Sequence, residues 1–158
     1  MAGKFKVGEL IVYPTKGVGK IVGIERLGEE DFYIIELLEK DIQIKIPVER
    51  AGAMGVRRPV SPEKVKKVLS MLKNYRVSKV RNNWNKRQKI YREKLRTGKI
   101  EDTAEVFAEL YYSSQRKQLS FGEKKLMEQV RSILLQELAV SSGSSVENIE
   151  EEFEKIIS

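Results

Sequence analysis

Arg57-Arg58-Pro59-Val60-Ser61-Pro62 is the stretch at which the hydrophobic period of this chain changes from two to 3.6. Two prolines close the extended part. Ser61 stands where a helix N-cap belongs, and Pro62 occupies the first helical position, where a missing N–H leaves nothing unsatisfied. Strands precede this point and helices follow it. The expected class is α+β by segregation, β first and α after. The expected units are a small SH3/Tudor-like β-barrel over residues 1–56, a linker over 57–61, and a compact all-α domain of four to five helices over 62–158.

Upstream of the break, Leu10-Ile11-Val12-Tyr13 is β-branched and aromatic, and Pro14 with Gly17 supplies a turn. Val18 to Leu27 carries Gly19 and Gly23, as a bent strand of a small barrel would. Gly28-Glu29-Glu30-Asp31 reads as a polar hairpin tip. Phe32 to Leu38 follows as a buried strand, with a turn at Glu39-Lys40-Asp41. Ile42, Ile44 and Ile46 alternate with Gln43 and Lys45, so one face is predicted buried. Four or five short strands enclose too little volume for a ligand cavity, which points to surface recognition.

Downstream, a helix to Lys73 buries Val65, Val68, Leu69 and Leu72. Asn74 to Arg81 lacks the period and reads as a loop. A second helix begins near Asn82 or Asn83 and ends at Gly98, and a third covers Glu101 to Arg116 with Phe107, Leu110 and Tyr111 inward. Ser120-Phe121-Gly122-Glu123 is a capping box opening a fourth helix, whose stripe is Leu126, Val130, Ile133, Leu134 and Leu138. A Ser/Gly hinge, Ser141 to Ser145, leads to a last helix with Val146, Ile149, Phe153 and Ile157.

The charge is unevenly placed. Residues 1–58 hold ten basic and nine acidic side chains, net +1; residues 59–99 hold fourteen and two, net +12; residues 100–158 hold six and twelve, net −6. Positive charge concentrated in one stretch implies a polyanionic partner, nucleic acid most simply. Anionic lipid fits less well, because basic interfacial helices present a long apolar face that this stretch lacks. The chain has no cysteine and no histidine, which removes thiol and imidazole chemistry and nearly every transition-metal site. No Walker, dinucleotide, calcium-loop or nucleophile-elbow motif is present. Gly17-Val18-Gly19 is a fragment of a glycine-rich loop and reads as small residues in a twisted strand. No enzyme activity and no cofactor are expected. No apolar run approaches the ~20 residues of a membrane span, and a cytoplasmic monomer is expected.

The candidate site is Asn83-Trp84-Asn85-Lys86-Arg87-Gln88-Lys89, followed by Arg92, Lys94 and Arg96, with the chain's one tryptophan. Cations at this density neutralise phosphates. A large aromatic among them can stack on a base or wedge into a base step. Tyr91 and Leu95 lie at helical spacing from Trp84, so core packing of the indole is the competing reading. A barrel with basic helices also fits a structured-RNA or ribosome-associated protein.

These residues resemble the CarD/CdnL family of bacterial transcription regulators. Phe5-Lys6-Val7-Gly8-Glu9 with Val12-Tyr13-Pro14 and Gly17 is similar to the family's opening motif. Asn83-Trp84-Asn85-Lys86-Arg87 is similar to its DNA-contacting signature, and Leu119-Ser120 with Gly122-Glu123-Lys124 and Glu137-Leu138 to its penultimate helix. The resemblance implies a Tudor-like domain on the β subunit of RNA polymerase, within the holoenzyme, with Arg26 and Lys45 as its basic contacts. Lys45 replaces the arginine often found there, a point charge for a bidentate fork. It further implies Trp84 as a minor-groove wedge at the upstream edge of melted promoter DNA, with Asn83, Lys86, Arg87 and Lys89 nearby, largely independent of sequence.

Overall fold

The computed structural model describes residues 5–75 and 84–157, with Trp84 described by its backbone alone. Four strands, β1 (Leu10–Tyr13), β2 (Gly17–Leu27), β3 (Glu30–Leu37) and β4 (Ile42–Pro47), form an antiparallel meander in the order β1-β2-β3-β4. Alternation sends Ile11, Ile21, Tyr33, Ile35, Leu37 and Ile46 into one core with Phe5, Ala51 and Val56. A bulge between Ile21 and Gly23 bends β2 and leaves Val22 exposed. Gly19 is needed where β2 crosses β3, since a Cβ there would stand 2.6 Å from Ile35 Cγ2. The outer edge of β1 meets Arg57, which exchanges two backbone hydrogen bonds with Val12 at 2.7 and 3.2 Å. Among the described residues nothing pairs with the outer edge of β4.

Five helices follow: α1 (Pro62–Lys73), α2 (Trp84–Arg96), α3 (Ile100–Ser114), α4 (Phe121–Ser142) and α5 (Val146–Ile157). Ser61 caps α1 by accepting from the Lys64 N–H, with Pro62 in the first turn. The capping box at Ser120 and Glu123 is complete in both directions. Val65, Leu72, Phe107, Leu110, Val130, Leu134, Leu138 and Phe153 share one core, in which the Phe107 and Phe153 rings lie 5.1 Å apart. The strand-then-helix architecture of the α+β expectation is observed.

Several local expectations are corrected. The hairpin between β2 and β3 turns on Gly28-Glu29 alone, because Glu30 and Asp31 pair with Leu27 and Arg26. Leu38 and Ile42 flank the next turn and are about half exposed, so alternation buries only Ile46 fully on β4. Tyr111 is half-buried, with its hydroxyl at the Ile157 carbonyl. The hinge after α4 begins at Gly143, in a left-handed conformation, since Ser142 stays helical and donates back to the Leu138 carbonyl. Val146 occupies the first turn of α5 and is exposed, outside the stripe of Ile149, Phe153 and Ile157. Asn82, Asn83 and residues 76–81 lie outside the described residues.

The two layers are fastened at α4. Arg57 donates to both carboxylate oxygens of Glu137, at 2.6 and 2.8 Å, and its Nε donates to the Gly98 carbonyl at 2.6 Å. Glu137 also accepts from the Val60 N–H at 3.0 Å, and its side chain is 3% exposed. At the preceding residue, Gln136 Oε1 accepts from the Val18 N–H at 3.0 Å. Gly17 passes so close that a Cβ would lie 2.6 Å from that oxygen. Removing one partner of a buried pair strands the other. Glu137→Ala is therefore expected to cost about 3 kcal/mol, or roughly 6–12 °C in thermal midpoint for a chain of this size. A melting temperature equal to the wild type would show that Arg57 finds other partners.

Candidate nucleic-acid interface

Helix α2 carries six basic side chains and one carboxylate, Glu93. It is held to the fold by its inward stripe. Tyr91 and Leu95 are buried, and Arg87 Nη2 donates to Glu123 Oε2 at 2.9 Å. Glu123, 6% exposed in its side chain, also accepts from the Ser120 N–H through its other oxygen at 3.2 Å. One carboxylate thus closes the capping box of α4 and anchors the first turns of α2. Further along, Lys94 reaches Glu105 on α3 at 2.8 Å. Burial, then the Glu109 carboxylate, pushes the Tyr91 hydroxyl up to about 12.

Lys86 and Lys89 are exposed, Arg87 is half-buried, and Trp84 opens the helix. The structure therefore brings Trp84, Lys86, Arg87 and Lys89 onto one short helical segment, while Asn83 lies outside the described residues. Sequence reasoning missed Phe121, the first residue of α4, which is 83% exposed. It lies two residues before Glu123, the carboxylate that holds Arg87 of α2. Its signal was available: the first helical position falls outside the apolar stripe of α4, so an aromatic there has no core to enter.

On the sheet, Arg26 lies on β2 and donates to Asp31 across the hairpin at 3.3 Å. Lys45 lies on β4, 2.9 Å from Glu25. Both are exposed. Lys45 is opposite Ile34 in the β3–β4 register, whereas Arg26 shares the alternation of Ile24 and Tyr33. The two cations therefore belong to opposite faces and are not brought together. Among the described residues, no helix is long and apolar enough to cross a membrane.

Residues 67–154 match the family described as CarD, C-terminal domain. The chain belongs to the CarD family. Residues 5–60 match a CarD-like/TRCF RID domain, the polymerase-interacting module of such proteins. The chain is also 27% identical over 149 residues to the "Putative transcription factor YdeB" of Bacillus subtilis (strain 168), covering 92% of this chain and 97% of that protein. CarD-family membership makes the chain one of a class of transcription regulators, not of an enzyme family, with RNA polymerase interaction as the general property of its N-terminal module.

Two outcomes follow for α2. Glu123→Gln keeps a side chain that can still accept in the cap but loses the ion pair, so amide hydrogen exchange should rise several-fold in α2 and little in α3. Equal protection would show that Tyr91 and Leu95 suffice. The raised Tyr91 hydroxyl favours the neutral form in the folded state relative to an ordinary tyrosine near 10. Its contribution is complete below pH 10 and is lost as pH rises from about 10 through about 12. In Tyr91→Phe, the alkaline fall in stability over that window should be shallower than in the wild type. An identical fall would assign it to other tyrosines.

Proposed function

We propose that this protein regulates transcription initiation by holding the β subunit of RNA polymerase with residues 1–56 and stabilising the promoter open complex with residues 62–158, the segment 57–61 joining them. The observation that carries this is the pairing of two features in one chain. A matched polymerase-interacting module is fastened by Arg57 to Glu137 of α4 and to the Gly98 carbonyl just past α2, the helix bearing six cations against one carboxylate.

The outer edge of β4 suits polymerase docking. An uncovered edge strand offers main-chain donors and acceptors to an added strand, and side chains set specificity. Lys45 lies on that strand, and Arg26 serves the opposite face. Each must exchange a carboxylate, Glu25 or Asp31, for one on the partner, which favours electrostatic steering over large net affinity.

On DNA, Asn83 and Trp84 lead α2 to the upstream edge of the bubble. Lys86 and Lys89 take phosphates, and Arg87 does so while its guanidinium remains tied to Glu123. Distorting a base step costs a few kcal/mol and costs least where the duplex already ends. A wedge that binds the open form better than the closed form shifts that equilibrium by its differential affinity. One stacking contact of ~1–3 kcal/mol changes the ratio roughly five- to 150-fold. Attachment to polymerase raises local concentration, so the DNA contacts can be weak and sequence-independent. The protein acts as a monomer, without a cofactor or catalytic step of its own, in the cytoplasm and on the nucleoid through polymerase.

Trp84→Ala should shorten open-complex lifetime at least about fivefold while retention on polymerase β stays at the wild-type level. Unchanged lifetime would remove the wedge. Failure of the wild-type chain to bind polymerase at all, with salt-sensitive binding to structured RNA, would replace this function with a ribosome-associated one.

A further inference from the structure

The second half of α2, the first turns of α4 and the β1–β2 turn enclose a surface groove of about 460 Å³. Its cations are Arg92, Arg96 and Lys125, and no lining residue is acidic. Arg92 and Arg96 are four residues apart on one stripe of α2, where like charges repel. Arg96 reaches Glu93 at 3.1 Å, an exposed contact of little strength. Arg92 and Lys125 enter no ion pair among the described residues, whereas Arg57, Arg58, Arg87 and Arg131 each hold a carboxylate. Arg92 and Lys125, beside an apolar floor that includes Leu95, thus lack a counter-charge among the described residues.

The third wall comes from the β-layer. Thr15 lines the groove with φ of 67°, a left-handed conformation that a β-branched residue rarely adopts. Gln129 Nε2 donates to its carbonyl at 3.3 Å, so the turn is held against α4 there. The next residue, Lys16, is exposed and also in no ion pair among the described residues. α4 divides the charge. Lys125 and Gln129 face this groove, while Glu128, Glu39 and Glu150 line a separate one that holds a single cation, Arg131. A polyanion is drawn to one side of α4 and repelled from the other.

We infer that this groove is a second DNA-backbone site, which takes phosphates of the duplex upstream of those held at the start of α2 and brings the β1–β2 turn, through Lys16, into DNA binding. This rests on the DNA-binding function proposed above. Twelve residues of helix separate Trp84 from Arg96, about 18 Å at ~1.5 Å per residue, or roughly five base pairs at ~3.4 Å each. The cations are exposed rather than enclosed, which suits a backbone passing along the surface better than a sequestered small molecule.

The test is the salt dependence of full-length protein binding to a forked promoter duplex. Each lost phosphate contact should reduce the log–log slope by about 0.9. The Arg92→Gln/Lys125→Gln double variant should lower it by about 1.8 and Lys16→Gln by about 0.9, with melting and polymerase retention unchanged. A Lys86→Gln/Lys89→Gln variant probes the start of α2 separately. If that variant loses slope while the groove variants keep the wild-type slope, the groove is idle and the DNA-binding function stands. If the wild type does not bind the fork, both fall.

Discussion

The Arg57–Glu137 contact is the constraint on which the arrangement depends. Arg57 belongs to β1 through its backbone, to the α2–α3 turn through Gly98, and to α4 through Glu137. A buried ion pair adds little net stability once desolvation is counted, and breaking one is expensive. Its value here is geometric. Two hydrogen bonds from a planar guanidinium fix direction as well as distance, and the Val60 N–H on the same carboxylate sets where the chain leaves the sheet. Gly17 and Gly98 permit the close approach that puts Pro14, Val18 and Gln136 in the same seam. A tether of flexible residues would raise local concentration equally well, but it would leave the angle between the sheet and α2 unset.

The same economy recurs at Glu123, which completes a helix cap and holds Arg87. Two long-range carboxylates on α4 therefore place α2 and the sheet against one helix. The result separates charge in space as it is separated in sequence. Cations gather on α2 and the adjoining side of α4, while acidic residues occupy the other side of α4 and α5. Such a field orients the molecule on a polyanion before any specific contact forms.

Much of this was legible in the sequence where the cause is local. The change of period at residues 57–62, the cap at Ser61 and the capping box at Ser120 each depend on neighbours within four residues, and the structure follows them. The hidden part is what distant residues do to one another. Glu137 read only as part of a helix motif, since nothing near it in sequence announces Arg57, eighty residues away. Arg87 read as a phosphate ligand, and composition gave no sign that it also holds Glu123. Val146 and Ile42 carried apolar side chains at plausible positions, but one fell in a first helical turn and the other beside a turn, where the core does not reach. Phe121 fits the same rule in reverse: its residue type suggested packing, and its position forbids it.

The proposed function requires that polymerase docking carry the cationic helix to one place on the promoter. Site-specific photocrosslinking from position 89, with Lys89 replaced by a benzophenone-bearing residue in the assembled holoenzyme–promoter complex, tests it directly. Adducts should cluster within a few base pairs of the upstream bubble edge and become weak and dispersed when polymerase is omitted. Adducts spread evenly along the duplex, or formed equally well without polymerase, would contradict it.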